Sequence, residues 1–404
     1  MADVGIVMPV YKQDPVYLQT ALRSVLNQSY VDFRLVIVVD GAPDDTINVI
    51  KEETKNDPRV RIIIKKVNRG VAAALNFGFE LLKKKKDVKY FTWVSSDNIY
   101  YPQFIEKLRN ALAQSPQDVG LVYSSFIHID EKGDRIYDVV LENFKKYQEQ
   151  PKENLLDACF IGVSFMYRKE YAVKAGDYEL EPVEDYDYWL RLTDYCDIKF
   201  VPSVLMEYRK NSPLSISAKL QNSQSEHRRY RHAMQLAKYK TRQRRNIPPE
   251  VTILFPVSKA TEDVVNKLES VLEQSYSNYE LMIIDISEGS TEIEAFKNIL
   301  DPRIKYSKLP GLTINEAIKA GLKAVNTPYT LVCGEGRFPV TGYILYSMVL
   351  LIRQFLNPQS TIDFVSIQEK SGQVQVRVDS VSNEPVLGEL YKTSKLTSLL
   401  GDKE

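Results

Sequence analysis

The sequence predicts an α/β protein of two successive domains, each organised around a largely parallel sheet. One opening occurs twice: Val4–Tyr30 and Val251–Tyr276 each run from an apolar strand through Pro-Val into an amphipathic helix that closes on Ser-Val-Leu-x-Gln-Ser-Tyr. The first half then alternates short β-branched runs with amphipathic stretches, a pattern typical of βα units in a parallel sheet. A length of 404 residues suffices for two buried cores.

The elements at the start of the first domain follow from their residue patterns. Gly5–Val10 is a short apolar run with β-branched residues, which indicates a buried parallel strand. Val16–Asn27 places Leu18, Leu22 and Val25 on one helical face. The other predicted elements of this region are the strands Leu35–Val39, Val60–Ile64 and Tyr90–Val94, a helix starting at Thr46 and a helix over Val71–Leu82.

The pattern changes after Gly120, where hairpin signals replace the βα units. Leu121–Ile129 and Arg135–Val139 flank a polar turn and predict a β-hairpin. The further predicted elements are the strands Asp157–Tyr167 and Lys199–Tyr208 and, between them, the helix Tyr186–Tyr195.

The composition argues against several classes of protein. Basic and acidic residues both number 53, so no overall field recruits nucleic acid. Three widely spaced cysteines do not suggest a disulfide framework, and the start of the chain carries no signal pattern; both favour a cytoplasmic protein. Three histidines without zinc spacing imply that any metal site would use carboxylates and a hard cation.

Polar residues cluster where the predicted strands end. Tyr11 follows the first strand, Asp40 ends the second, and Asp97 lies just beyond the fourth. Ligands of open parallel sheets bind at the carboxyl ends of the strands. We therefore expect these three residues to share one site.

Five motifs carry a resemblance to a known family. They are Pro9-Val10-Tyr11, Asp40-Gly41-Ala42-Pro43-Asp44-Asp45-Thr46, Asn68-Arg69-Gly70 with Asn76, Ser96-Asp97-Asn98-Ile99-Tyr100-Tyr101-Pro102, and Glu184-Asp185-Tyr186-Asp187-Tyr188-Trp189-Leu190-Arg191. Together they resemble glycosyltransferase family 2, the inverting nucleotide-sugar transferases of GT-A fold, over roughly residues 3–220. The resemblance implies a GT-A, Rossmann-like nucleotide-binding domain. The Asp97–Pro102 run is also similar to bacterial spore-coat polysaccharide glycosyltransferases.

The resemblance implies a nucleotide site with a physical rationale of its own. Its residues would be Pro9, Val10, Tyr11, Asp40, Arg69, Asn76 and Ser96. Asp40, at a strand end before a glycine turn, could accept a hydrogen bond from the imide N–H of uracil, with Pro9–Tyr11 as the adjoining wall. The alternative is that Asp40 caps the following turn. The family often has two acidic residues before this glycine, but here the first is Val39.

The resemblance also implies which residues would hold the metal ion and which would act as the general base. Asp97 matches the family's metal-binding motif and would hold Mn²⁺ or Mg²⁺ against the donor diphosphate. Many relatives have several acidic residues in this motif, whereas this chain has one. Asp185 matches the general base, with Glu184 in reserve, because inversion needs a carboxylate opposite the leaving group. Arg191 would pair with an acidic neighbour and brace this helix.

Two further segments of the first domain match the family pattern. Gly162-Val163-Ser164 matches a small-residue loop that borders the donor sugar and the acceptor. Asn211 stands where a family segment commonly ends in His, which removes a potential phosphate or metal contact.

The domain prediction is residues 1–220 for catalysis, 221–247 for a basic helical connector and 248–404 for a degenerate, truncated GT-A-like domain. The second copy keeps the scaffold and loses the polar positions: Ser258 replaces Tyr11, Ile286 aligns with Asp40, and Gly336 falls near the Asp97 position. Glu335 as a surviving ligand is disfavoured. The copy would serve homo-oligomer formation, acceptor binding or support. The connector either packs on the protein or contacts an anionic membrane surface.

These patterns predict a metal-dependent inverting glycosyltransferase that moves a sugar from a UDP- or dTDP-sugar to an acceptor hydroxyl in glycan, glycoconjugate or polysaccharide synthesis. One alternative is a non-catalytic pseudo-glycosyltransferase that binds a sugar nucleotide or a partner. A second is a nucleotidyltransferase, which usually has a glycine-rich basic loop after its first strand. Here that segment is Val-Tyr-Lys-Gln-Asp-Pro, without glycine.

Overall fold

The structure, a computed structural model, describes residues 2–210, 223–289, 294–333, 342–354, 364–370, 373–379 and 388–400. The chain forms two compact units, one up to Ala237 and one from Lys238. The division falls within the helix Gln224–Arg244, inside the segment predicted as the connector.

The first unit is built on a nine-stranded mixed sheet. Its strands are β1 (Val4–Val10), β2 (Phe33–Asp40), β3 (Val60–Lys65), β4 (Tyr90–Trp93), β5 (Ile99–Tyr100), β6 (Val119–Ile129), β7 (Arg135–Ile136), β8 (Phe165–Arg168) and β9 (Asp197–Arg209). They are ordered β3-β2-β1-β4-β8-β6-β9-β5, and β7 pairs with β6. The first four neighbours, β3 to β4, are mutually parallel, so their carboxyl ends meet at one edge of the sheet.

Helices cover both faces of this sheet. The helices of this unit are α1 (Pro15–Leu26), α2 (Asp44–Thr54), α3 (Val71–Lys83), α4 (Phe104–Gln114), α5 (Leu141–Gln148), α6 (Lys169–Ala175) and α7 (Glu184–Leu192), with a 3₁₀ turn at Lys152–Leu156. The next helix, α8 (Gln224–Arg244), contains the division between the two units. The Asp14 carboxylate caps α1 by accepting the N–H groups of Val16 and Tyr17. Alternate side chains of β1 serve the two faces: Ile6 joins the core with α1, while Val7 lies against Gly78 of α3. The predicted α/β fold with helices on both faces is confirmed.

Several elements differ from the predicted bounds; the predicted strand Arg135–Val139, for example, is limited to Arg135–Ile136. The predicted strand Asp157–Tyr167 is shorter, because Gly162 adopts φ +73° and the chain enters β8 only at Phe165. The predicted helix Tyr186–Tyr195 begins earlier, at Glu184, and ends at Leu192. The acidic pair therefore lies in the first turn of α7, where the helix dipole favours negative charge.

The second unit repeats the first four strands. Its strands are β10 (Val251–Val257), β11 (Tyr279–Asp285), β12 (Ile304–Lys308), β13 (Tyr329–Val332), β14 (Phe364–Lys370), β15 (Gln373–Asp379) and β16 (Glu389–Lys392). They are ordered β12-β11-β10-β13-β16-β14-β15, and β10 is parallel to β11 and β13 just as β1 is to β2 and β4. Its helices are α9 (Glu262–Leu272), α10 (Glu294–Lys297), α11 (Ile314–Leu322), α12 (Ile344–Gln354) and α13 (Thr393–Leu400).

Several positions weighed in the sequence lie outside the described residues: Asn211, Glu335 and Gly336. In the described part of the chain, no helix combines the length and apolar character that crossing a membrane requires.

Candidate functional site

The carboxyl ends of β1, β2 and β4 open into a cavity of about 240 Å³. Among the residues that line it are seven predicted site residues: Pro9, Val10, Tyr11, Asp40, Ser96, Asp97 and Glu184. Asp40 ends β2 and Tyr11 follows β1, so the parallel register alone brings them together. Glu184 is the first residue of α7 and lies far from these strands in the sequence.

Asp40 is buried and organises the turn after β3. Its Oδ2 accepts the backbone N–H groups of Arg69 (2.8 Å) and Gly70 (3.0 Å), and its main-chain oxygen accepts from the Asn68 amide at 3.0 Å. Within the described residues, the hydrogen bonds of this carboxylate are both made by Oδ2. Oδ1 is therefore available to a ligand N–H, and the structural and ligand-binding roles of Asp40 are compatible.

The residues after β1 and β4 form another wall of the cavity. The Tyr11 side chain is 53% exposed, so a planar group has ring surface to contact. The Ser96 hydroxyl accepts a hydrogen bond from the Gln13 amide at 3.2 Å, which links the two loops.

The loop carrying Asp97 is braced by a residue that the sequence patterns missed. Arg209, at the end of β9, is buried and donates from Nε to the Asp97 carbonyl (3.2 Å) and from Nη1 to the carbonyls of Asp130 and Glu131. Its guanidinium lies 4.1 Å from the Tyr17 ring centre. Burial raises the pKa of Asp97, and the nearby charge of Arg209 opposes that shift.

Glu184 and Asp185 form a pair of adjacent carboxyl groups in low-dielectric surroundings. Glu184 lines the cavity and is buried, and its Oε2 has no hydrogen-bond partner among the described residues. Asp185 is half-buried, does not line the cavity, and accepts the N–H of Tyr186. Burial raises the pKa of both groups, and the charge of Asp185 raises that of Glu184 further.

The helix that carries this pair is braced as expected. Arg191 pairs with Asp187 one turn earlier (2.8 Å from Nη2) and donates to the carbonyls of Ala175 and Asp177. Asp187 is nearly fully buried, so its carboxylate is committed to this brace. The predicted bracing role of Arg191 is confirmed.

A second unpredicted residue, Trp93, lines the cavity at the end of β4. Its indole N–H is buried without a hydrogen-bond partner in the described part of the chain. Two residues that line this cavity thus each have a buried polar atom without a hydrogen-bond partner among the described residues. The donor is Trp93 Nε1 and the acceptor is Glu184 Oε2. Buried polar groups rarely remain unpaired, which points to a polar ligand. A tryptophan four residues before Asp97 was the available sequence signal.

Other predicted residues lie apart from this cavity. Asn76 directs both ends of its amide to the main chain of Tyr178, at 3.0 and 2.7 Å, so it braces the scaffold instead of facing the cavity. Gly162 packs against Phe126, and the hydroxyl of Ser164 is paired with that of Ser124 in the buried sheet. Arg69 lines a neighbouring cavity of about 340 Å³.

The described residues contain no group of three or more His, Cys, Asp or Glu side chains arranged to hold a metal ion. Asp97 is the acidic residue of the loop after β4 that lines the cavity. Mg²⁺ and Mn²⁺ are commonly held by one or two carboxylates, with phosphate oxygens and waters completing the shell. The site therefore fits a cation that arrives with a phosphate-bearing ligand.

Comparison with known proteins identifies relatives. Residues 5–175 match the family model described as Glycosyl transferase family 2. An uncharacterized glycosyltransferase of Rickettsia felis is 28% identical over 354 residues, covering 75% of this chain and 56% of that protein. The O-antigen biosynthesis glycosyltransferase WbnJ of Escherichia coli is 28% identical over 196 residues, covering 48% of this chain and 72% of WbnJ. The chain thus spans little more than half the length of its Rickettsia relative.

Solved structures give weaker similarities. Staphylococcus aureus TarS 1–349 in complex with UDP-GlcNAc is 13% identical and covers 60% of this chain and 70% of its own, with a TM-score of 0.44. The mannosyltransferase PcManGT of Pyrobaculum calidifontis, in complex with GDP-Man and Mn²⁺, is 12% identical and covers 87% and 80%, with a TM-score of 0.46.

Proposed function

Because residues 5–175 match the family model described as Glycosyl transferase family 2, we propose that this chain transfers a sugar from a nucleoside-diphosphate sugar to an acceptor hydroxyl. One observation carries the proposal: Asp40, Asp97 and Glu184 line a single cavity at the carboxyl ends of the parallel strands. The donor would be a UDP- or dTDP-sugar, and the acceptor a glycan or glycoconjugate.

The nucleotide would lie against the loop after β1. Asp40 Oδ1 would accept the imide N–H of uracil or thymine, while Oδ2 keeps the Asn68–Gly70 turn in place. Tyr11 would contact the base or ribose with its exposed ring. A pyrimidine with an imide N–H suits this carboxylate, whereas cytosine has no such donor.

The diphosphate would lie near Asp97. A divalent cation bound there would offset the charge of the leaving nucleoside diphosphate. The contribution of the chain is the position of the carboxylate, which Arg209 fixes by holding the Asp97 main chain.

Asp185 would act as the base in an inverting transfer. It is the more exposed carboxyl group of the pair, so it can take the acceptor proton and return it to solvent. Glu184, whose pKa is raised by burial and by the neighbouring Asp185, would in its protonated form donate a hydrogen bond to the donor sugar.

A thermal-shift panel of UDP, dTDP, GDP and ATP, with and without Mn²⁺, tests the donor site. UDP or dTDP with Mn²⁺ should stabilise the chain, by about 2.7 kcal/mol at a hundredfold excess over Kd. Asp97→Asn should remove the Mn²⁺-dependent part, and exposed Asp118→Asn should not. Stabilisation by ATP alone would favour a nucleotidyltransferase.

A donor-hydrolysis and transfer assay tests the activity itself. Binding of UDP without turnover of any UDP-sugar, with acceptor glycans present, would favour the non-catalytic alternative. Absence of stabilisation by every nucleotide would contradict the donor site.

A further inference from the structure

Residues 176–183, which we term the strap, join α6 to α7 and therefore lead directly into Glu184. Leu180 in the strap has φ +55°, in the left-handed region that a residue with a β-carbon seldom adopts. Such a backbone conformation persists when surrounding contacts enforce it.

Three side-chain contacts tie the strap to α3. The Asn76 amide bonds both main-chain groups of Tyr178, and Lys83 pairs with Asp177 at 3.1 Å. The third contact lies at the other end of α3, where Glu181 Oε1 accepts the N–H of Ala72 at 2.7 Å. Glu181 therefore satisfies an N–H in the first turn of α3, which would otherwise need another partner.

Glu181 also lies against the turn that Asp40 organises. A β-carbon on Gly70 would come within 2.5 and 2.6 Å of the two Glu181 carboxylate oxygens, so the Glu181 carboxylate lies directly against Gly70. Gly70 also adopts φ +93° and donates its N–H to Asp40 Oδ2. Asp40 bonds the three-residue turn Asn68–Gly70, and Glu181 lies against the last residue of that turn, Gly70.

The connection continues from Glu181 into α7. The Val183 N–H donates to the Leu180 carbonyl at 2.9 Å, and the Asp187 N–H donates to the Val183 carbonyl at 2.9 Å. A tight turn therefore links Glu181 to the first turn of α7, where Glu184 and Asp185 lie. Displacement of Glu181 would displace that pair relative to the cavity.

We propose that Glu181 is a positioning residue that couples the Asn68–Gly70 turn, on the donor side of the cavity, to the carboxyl pair at the start of α7. The inference deepens the proposed function and depends on it. Glu181 touches neither reactant; it sets the distance between the Asp40 side of the site and the groups that would contact the sugar and the acceptor.

Three full-length variants test the coupling: Glu181→Ala, Glu181→Gln and, as a matched control, Glu179→Ala on the exposed glutamate two residues earlier. Glu181→Ala should lower kcat about ten- to hundredfold, because small displacements of reacting groups are costly, while the donor KM changes less than threefold. Glu181→Gln keeps an oxygen for the Ala72 N–H and should restore kcat to within about threefold of wild type. Amide exchange at Ala72 should be faster in Glu181→Ala alone.

The outcomes separate this inference from the proposed function. With an active wild type, a Glu181→Ala kcat equal to that of Glu179→Ala overturns the positioning role. The positioning role is also overturned if Glu181→Gln lowers kcat as much as Glu181→Ala does, or if Glu181→Ala changes only the donor KM. A wild type without turnover refutes the proposed function; in that case, unchanged Ala72 exchange in Glu181→Ala overturns the contact, and faster exchange confined to that variant supports it.

Discussion

At the scale of single residues, Glu184 and Asp185 have the same chemistry and different surroundings. Glu184 is buried in the cavity wall, and its Oε2 has no hydrogen-bond partner in the described segments of the chain, whereas Asp185 is half-buried and accepts the N–H of Tyr186. Burial raises both pKa values, and repulsion by Asp185 adds to that of Glu184. Two adjacent carboxyl groups with raised pKa values and different exposure suit one base and one hydrogen-bond donor.

Isosteric amides distinguish these two roles. Asp185→Asn should lower kcat by about 10²–10⁴-fold, the usual contribution of general-base catalysis. Glu184→Gln should cost less than about tenfold, because glutamine keeps the donor that a protonated Glu184 provides. Steady-state transfer assays at pH 7 measure both. Equal losses, or the reverse order, would assign the base to Glu184.

The pH dependence of turnover follows from the same pair. A base must be deprotonated, and burial raises the pKa of Asp185, so kcat/KM should fall as pH drops through a value above the ordinary aspartate range near 3.9. A profile of kcat/KM from pH 4.5 to 9 measures this. The Glu184→Gln variant should show the same fall of kcat/KM at low pH. Glu184 is protonated and uncharged at low pH in the wild type, so replacing it with neutral glutamine removes no charge. A wild-type profile flat down to pH 4.5 would contradict the assignment.

At the scale of elements, α3 both packs closely on the sheet and directly follows the Asn68–Gly70 turn of the site. Gly78 allows α3 to approach the sheet, because a β-carbon there would lie 2.5 Å from Val7 Cγ1. In the second unit, Gly321 on α11 holds the corresponding place, with a β-carbon position 2.6 Å from Ile284 Cδ1. The repeated helix thus keeps its packing glycine in both units, and in the first unit it also presents the Asn68–Gly70 turn.

Replacing this glycine tests the close packing. Gly78→Ala should destabilise the first unit, because overpacking costs about 1–3 kcal/mol. The higher helix propensity of alanine offsets about 1 kcal/mol of that. Urea unfolding followed by circular dichroism measures the change, with Glu80→Ala on the exposed face of α3 as the control. A midpoint equal to that of wild type would show that α3 shifts without cost.

At the scale of the whole molecule, the two units share the order of their first four strands and differ in the residues at the ends of those strands. Asp285 ends β11 in the second unit, but its carboxylate bonds Ser287 and pairs with Lys308 at 3.2 Å. Ile286 occupies the position aligned with Asp40. We therefore expect nucleotide binding and chemistry to reside in the first unit, and the second unit to remain non-catalytic.

A pair of matched substitutions tests this division. Asp40→Asn should weaken UDP or dTDP binding at least about tenfold, because the amide replaces a carboxylate that bonds the Asn68–Gly70 turn and, in the proposed function, accepts the imide N–H of the base. Asp285→Asn should leave nucleotide affinity and turnover within about twofold of wild type. Calorimetric titration and transfer assays measure both, and the melting temperature reports any loss of folding. Loss of turnover in a folded Asp285→Asn variant would place function in the second unit.

The sequence determined the repeated βα order, the parallel strands and the meeting of Tyr11, Asp40 and Asp97 at one edge of the sheet. Periodicity and strand direction are local properties, and a parallel sheet converts them into a shared edge. The positions of these three side chains could therefore be predicted before any side-chain contact was known.

The tertiary structure alone decided which other groups join that edge. Arg209 reaches the Asp97 carbonyl across 112 positions and Glu181 reaches Ala72 across 109, while Asn76 turns to Tyr178 and away from the cavity. The same packing places Glu184, and not Asp185, in the cavity wall. Such choices depend on how distant segments pack and which polar groups they bury, and that information is not contained in local sequence patterns.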